Sequence, residues 1–545
     1  MLLSVNPVTR RRLALSLLTF LLVFACSTQL AAQQALQKIR TFYSLDAPAV
    51  PAGLRETPVI PPIDGLSSLA KASDGATWVG STRGAVRFDP TAAPDRRYQI
   101  FAGLRYLPDD EVLSLYPDSQ RGMWVRTRSG VSHIELRPMT LLQKADHFED
   151  RILRRHDRYG MVADSHLLTP GDLSTNTLTS SDNDGLWTAM YGAAECFRYA
   201  QTHSPKALAL AKKSIEAVLF LEKITGIPGF PARSYVKKGE PRPKDGVWHW
   251  TPDGEIQWKG DTSSDEIVGH FFLFSVAWDT LDDPQIKKQI SDTARRIMDY
   301  ILANGYNLID VTGKPTYWGE WTPTYFASKR GYADAPLNAA ELMSFLKTTH
   351  HITKDPKYDR EYRKVAFDMG YAEMATRELE RREELNYSDE ELAYLAFYPL
   401  FRYEKDPKLL DSIRRAAGDW WQNMQREQNP LWIYIHALGQ PAPIAQFGKK
   451  YFPQARNTLE RIPMDLIKWT IKNSGRPDIV FDTKVDRFDK RQVLTFLPPD
   501  ERPVMKWNGN PFVIDGGHGG TSEDDGAAFL LPYWMGRHFG FLTDK

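Results

Sequence analysis

The chain has 545 residues, 42% of them apolar, with 69 Lys and Arg against 68 Asp and Glu and a net charge of +1. That length suits two or more domains, or one large helical body with an appendage. The charge balance, with no basic stripe interleaved with aromatics, argues against a nucleic-acid partner, and two cysteines argue against a disulfide framework.

The first segment is an address. Arg10, Arg11 and Arg12 precede an apolar run from Leu13 to Phe24 and then small residues. This is the pattern of a signal peptide over 1–32, too short and wrongly flanked for a membrane span. Thr9 to Leu13 resembles a twin-arginine export signal. Two processing readings stand side by side. Val23-Phe24-Ala25-Cys26 is a loose lipoprotein box, which would make Cys26 a lipid anchor and the one membrane contact. Ala31-Ala32 would instead end an ordinary signal. Either way the expected location is periplasmic or extracellular. Cys196 lies in a helical stretch and is expected to be a buried small apolar residue.

Residues 33–65 are Pro-rich and aperiodic and read as a linker. Over 66–138 a pattern repeats: Asp74-Gly75-Ala76-Thr77-Trp78-Val79-Gly80 returns in looser form as Asp118 to Gly122 followed by Met123-Trp124-Val125. A turn, a Trp-bearing strand, a turn at Gly and a second strand recur at the spacing of a propeller blade. This resembles the propeller repeats of bacterial two-component sensor proteins. Only two repeats are found, so the expectation is a small β-domain packed on the rest.

From 139 to 545 the periodicity is helical. Four short turns look alike: Thr202-His203-Ser204-Pro205, Leu281-Asp282-Asp283-Pro284, Thr353-Lys354-Asp355-Pro356 and Glu404-Lys405-Asp406-Pro407. Ser or Asp caps the next helix, and Pro at its first position lacks an N–H that would be unpaired anyway. The flanking helices are predicted at 185–201 and 206–224, 265–280 and 284–303, 336–352 and 357–382, and 389–404 and 407–427. A fifth pair is 431–440 with 454–473, and a last helix at 523–538 is expected to close against 143–164. The predicted fold class is therefore mainly α. Six hairpins closing in a ring resemble the (α/α)6 toroid of many glycoside hydrolases and polysaccharide lyases.

That resemblance places the long connections, 225–264, 304–335, 383–388 and 474–522, on one face. Each predicted inner helix is preceded by a polar cluster: Ser181–Trp187, Gly260–Glu266 with His270, Arg330–Asp334, Asn386–Glu391, Asn429–Trp432 with His436, and Asp515–Asp525 with His518. A single acid at a helix start is ordinary capping material. Two to four acids with His, Trp and Tyr exceed what one helix needs. Flat aromatic faces suit sugar rings, and carboxylates suit their hydroxyls. The expected partner is therefore a poly- or oligosaccharide.

Glycoside hydrolysis needs two carboxyls, one to protonate the leaving oxygen and one to activate water or attack. Asp184, Asp265 and Asp389 are the first candidates, with Glu266 and Glu320 behind them. Asp182, Trp187, Arg233, Tyr235, Trp258, His270, Trp318, Trp321, Tyr387, Trp432, His436 and His518 are the candidate substrate contacts. Arg233 suits either a substrate carboxylate or a loop anchor. A lyase or epimerase acting on uronate glycans would use the His, Tyr and Arg members of this set. A non-catalytic glycan-binding or sensory protein is the third reading, from the two blades. No cofactor or metal is expected: Asp182-Asn183-Asp184-Gly185 opens like a calcium loop, but its twelfth position is Ala193.

Overall fold

The four Ser-Pro and Asp-Pro turns do what their residues dictate. The Ser204 hydroxyl accepts the Ala207 amide at 3.4 Å, and Asp283 accepts both Gln285 and Ile286 amides at 3.0 Å. Asp355 accepts the Lys357 amide at 3.0 Å, and Asp406 the Lys408 and Leu409 amides at 3.0 and 3.5 Å. Asp283→Ala is expected to cost about 1 kcal/mol of stability in urea unfolding, the usual worth of such a cap. The computed structural model describes residues 33–56, 65–381, 385–441, 444–503, 506 and 508–543. The signal segment and Cys26 lie outside them, and no helix among the described residues is long and apolar enough to cross a membrane.

The main helices are α1 (Leu141–Arg155), α2 (Asp184–Thr202), α3 (Pro205–Lys223), α4 (Ser264–Thr280), α5 (Pro284–Ala303) and α6 (Ala335–Thr353). They continue as α7 (Pro356–Arg363), α8 (Tyr387–Tyr403), α9 (Pro407–Met424), α10 (Pro430–Gly439), α11 (Ala445–Arg461) and α12 (Ala527–His538). Helix α2 packs on α4, α4 on α6, α6 on α8, α8 on α10, α10 on α12, and α12 returns to α2. The circuit of even-numbered helices is closed. These helices are buried nearly all round: from Ser264 to Ala277 of α4, only Asp265 keeps partial exposure. The odd-numbered helices lie outside them and bury one face, as Ile286, Ile290, Ala294, Ile297 and Ile301 of α5 show by their helical spacing. Cys196 is buried in α2, and burial pushes its thiol up, so it is inert packing as expected.

Several boundaries differ from expectation. The helix predicted at 357–382 stops at Arg363, passes through a π-turn, and breaks at Gly370, whose φ of +73° ends regular helix. Helix α12 begins at Ala527, because Ser522–Glu523 is a strand pairing with Asp164–Leu167.

The N-terminal strands are β1 (Ala35–Tyr43), β2 (Leu66–Lys71), β3 (Thr77–Ser81), β4 (Gly84–Phe88), β5 (Tyr98–Phe101), β6 (Val112–Pro117), β7 (Met123–Thr127) and β8 (Val131–Met139). They form two four-stranded antiparallel sheets, β2-β3-β4-β5 and β6-β7-β8-β1. The repeated Trp residues occupy matching second strands. Trp78 stacks on Phe101 at 4.7 Å and Trp124 on His133 at 4.0 Å between ring centroids. Residues 35–43 correct the linker reading. They pair along all of β8 and supply the strand that β5 supplies to the other sheet.

Candidate active site

Outer helices α1, α3, α5, α7 and α9 carry side-chain caps, whereas most inner helices do not. Among α2, α4, α6, α8, α10 and α12, only α10 makes a side-chain cap bond at its N-cap residue, the Leu431 amide donating to Asn429 Oδ1 at 3.0 Å. At α12 the start is held instead by Asp525, which accepts the Ala527 amide at 2.6 Å. Above these starts opens a cleft of about 1610 Å³, walled by the long connections. Asp265 of α4 and Asp389 of α8 both line it, with Asp334 before α6 and Asp524 before α12. Of the predicted contacts, Arg233, Trp318, Tyr387 and His518 line it too. Trp318 is 44% exposed, a large apolar face held open to solvent.

Electrostatics set Asp265 apart. Burial pushes its carboxyl up, Arg233 opposes this, and the Asp389 charge adds to the rise. Asn183 Nδ2 lies 3.4 Å from its Oδ1. Beneath it are buried glutamates whose carboxyls are pushed up. Burial raises Glu341 of α6 to about 8, with the Asp265, Asp389 and Asp334 charges adding to the rise and the Trp321 Nε1 bond to Oε2, 2.9 Å long, opposing it. Glu391 of α8 is pushed well up by burial and by Asp265, and neither of its oxygens has a hydrogen-bond partner among the described residues. Glu341 was missed in the sequence, where its one signal is a lone acid inside the apolar run Leu337–Leu346.

Because Glu341 sits near 8 when folded and near 4.5 otherwise, the folded protein keeps a proton that the unfolded chain releases between those values. Stability therefore falls as pH climbs from about 4.5 to about 8. Glu341→Gln keeps an acceptor for Trp321 and removes the titration. It is expected to raise stability at pH 8 by roughly 1–3 kcal/mol and to flatten the pH dependence of urea unfolding.

The structure moves most other candidates away from the cleft. Asp184 is fully buried as a tie: Arg158 Nη2 reaches it at 2.6 Å, Ser181 donates its amide and hydroxyl at 2.9 and 2.7 Å, and the Ser234 hydroxyl donates as well. Glu266 lies behind Asp265, pushed well up by burial, and receives the Leu186 amide at 3.4 Å. Its Oε2 fills the place of a side chain at Gly185, where a Cβ would come within 1.9 Å. The glycine that looked like part of a calcium loop makes room for this carboxyl. Glu320 pairs with Arg330, and exposed Asp182 pairs with Lys259. Among the described residues no group of three or more His, Cys, Asp or Glu is arranged to hold a metal ion.

The aromatic and histidine candidates sort the same way. Tyr235 stacks on Tyr159 at 5.6 Å, and Trp258 packs against His249 at 4.5 Å. Trp321 and Trp432 are buried and donate to Glu341 and Glu427. Trp187 lies 4.5 Å under the Lys506 ammonium, beside the cleft floor. His270 is bonded to the Glu266 carbonyl at 2.6 Å, and His436 stacks on Trp421 at 4.4 Å. Burial lowers both histidines to about 4, so they stay neutral at pH 7. Arg233 is a loop anchor: Nε donates to the Asp182 carbonyl and Nη2 to Asn183 Oδ1, both at 2.8 Å. Burial pushes the Tyr387 hydroxyl up, which disfavours it as a base.

Two neighbours in sequence divide sharply. Asp524 faces the cleft beside Lys468 at 2.9 Å. Glu523 points the other way, to Arg155 at 2.7 Å and Arg151 at 3.3 Å. The cations Lys329, Arg381, Lys468, Arg487, Lys490 and Lys506 also line the cleft, none of them anticipated.

No family profile and no curated protein matches the chain. Among solved structures, similar ones include a glycoside hydrolase family 76 mannosidase from Bacteroides thetaiotaomicron VPI-5482, at 8% identity and TM-score 0.39 over 73% of this chain and 98% of that one. A family 76 glycoside hydrolase from a bovine strain of the same species gives 10% identity and TM-score 0.32, over 74% and 92% of the two chains. An unsaturated glucuronyl hydrolase from Streptococcus agalactiae gives 9% and 0.26, over 74% and 91%. At these scores no activity is carried across.

Proposed function

We propose that the chain is an exported carbohydrate-active enzyme: an (α/α)6 toroid, with an N-terminal pair of propeller-like blades, that hydrolyses glycosidic bonds with Asp265 and Asp389. The observation that carries this reading is the sharing of one open cleft by two carboxylates from different inner helices. In the proposed reaction Asp265 is the general acid. Its burial and the Asp389 charge favour the protonated form. It gives that proton to the leaving glycosidic oxygen. Asp389 activates water or attacks the anomeric carbon. Trp318 offers its exposed face to a sugar ring. Asp184, Glu266 and Glu320 have no part in this scheme, because each is engaged within the protein.

A glycan panel read in two ways tests it. Hydrolysis yields new reducing ends with no ultraviolet-absorbing product. Elimination yields an unsaturated product that absorbs. Absorbing product, or no Asp265-dependent cleavage of any glycan, would overturn the hydrolase reading.

A further inference from the structure

The cleft carries two populations of charge. Asp265 and Asp389 sit at helix starts. The loops contribute cations: Lys329 ahead of α6, and Arg487 and Lys490 at the tip of the hairpin formed by Phe481–Val485 and Arg491–Val493. The acids beside these cations are engaged by the protein. Asp486 accepts the Phe488 and Lys490 amides at 2.9 Å each. Asp515 accepts the Asn473 and Ser474 amides at 2.7 and 3.0 Å, and Asp334 accepts the Tyr325 hydroxyl at 2.6 Å. Glu380, and Asp489 at the hairpin tip, are the exceptions, exposed acids with no side-chain bond to a described residue.

The three cations are not engaged in this way. All are exposed, and neither Lys329 nor Lys490 makes an ion pair or side-chain hydrogen bond with any described residue. The Arg487 guanidinium lies over the Phe488 ring, 5.1 Å from its centroid, and has no carboxylate partner among the described residues. Phe488 itself is 67% exposed and lines the cleft. The cleft lining holds seven Lys and Arg against seven Asp and Glu, so what marks these three is their lack of a bonded partner and not a local excess of charge. Unpaired cations around a concave site draw in anions, and Arg binds carboxylate and sulfate groups with two parallel hydrogen bonds.

We infer that the glycan bound here is acidic. Its carboxylate or sulfate groups are received by Lys329, Arg487 and Lys490, and the Phe488 ring packs on a sugar face. This rests on the glycan reading above and adds the class of glycan.

Affinity electrophoresis of full-length Asp265→Asn protein, which leaves ligand intact, tests it. Gels contain polygalacturonate (carboxylate only), dextran sulfate (sulfate only) or neutral mannan. The expected result is retardation by at least one anionic polymer beyond that by mannan. Adding Lys329→Gln, Arg487→Gln and Lys490→Gln together should weaken that binding roughly tenfold, as three exposed charge contacts would. Lys484→Gln, on the same hairpin but outside the cleft, should bind like its parent. Retention by polygalacturonate alone assigns the carboxylate, and by dextran sulfate alone the sulfate. The inference is overturned if mannan alone retards the protein, if the triple variant binds like its parent, or if Lys484→Gln weakens binding as much as the triple. Asp265-dependent cleavage of a neutral glycan by a protein that no anionic gel retards would overturn this inference and leave the hydrolase reading standing. Anionic retention without cleavage of any glycan would do the reverse.

Discussion

Asp265→Asn and Asp389→Asn are each expected to lower kcat by about 10²- to 10⁴-fold, the usual worth of one positioned acid or base. Both substitutions keep side-chain shape and remove the ability to exchange the proton. Asp265 is half-buried at a helix start, where its carboxyl accepts from Ser263 and from its own backbone amide, bonds that the oxygen of an Asn side chain can still accept. Thermal midpoints should therefore stay near that of the parent, which separates lost chemistry from lost fold. The pH profile carries a second signature. If Asp265 is the acid held protonated by burial and by Asp389, then Asp389→Asn removes a like charge and lowers the Asp265 value. The alkaline limb of residual activity should then move to lower pH. Asp184→Asn is the contrasting case. It takes the charge from a buried partner of Arg158 and should lose stability while the remaining folded protein stays active. Unchanged turnover in Asp265→Asn would remove the central element of the proposal.

Asp500→Ala is expected to cost about 3–5 kcal/mol, the usual penalty for leaving a buried charge without its partner. Asp500 joins the β-domain to the loop that walls the cleft. Its carboxylate takes Lys38 of β1 at 2.6 Å and Arg461 of α11 at 2.8 Å, and its carbonyl takes Arg105 and Tyr106 at 3.2 Å. Burial pushes the Asp500 carboxyl up, but the Arg461 and Lys38 charges outweigh it and hold it at about 2. A folded value below the ordinary 3.8 means stability present above that pH and lost as pH falls through about 2. Urea unfolding at pH 7 measures the loss. The same loop supplies Lys468, Arg487, Lys490 and His518 to the cleft, so limited proteolysis of the variant should cut first between 462 and 526. Lys38→Ala should cost less, because Arg461 still neutralises Asp500. Equal stability of Asp500→Ala and parent would mean that the β-domain does not brace the wall.

Much of the architecture was legible because it is local. Ser204, Asp283, Asp355 and Asp406 each cap the helix that immediately follows, and a cap spans only three or four consecutive residues. The repeated Trp78 and Trp124 stand in strands whose partners lie a turn away. Strand β1 was misread as linker because its partner, β8, is distant in sequence, and nothing within residues 35–43 announces the pairing.

The candidate site divided on the same principle. The amino-acid sequence alone determined that acids gather at the starts of helices α2, α4, α8 and α12. Only the tertiary structure decided which acid of each cluster meets the cleft. Successive residues on a helix point about 100° apart, so Asp265 faces the opening while Glu266 turns into the wall behind Gly185. Where the chain leaves the strand Ser522–Glu523 in extended form, successive residues face opposite sides, so Asp524 enters the cleft and Glu523 meets Arg155. The rim cations escaped notice because Lys329, Arg487 and Lys490 belong to no periodic element, and their common neighbourhood exists only once the ring has closed.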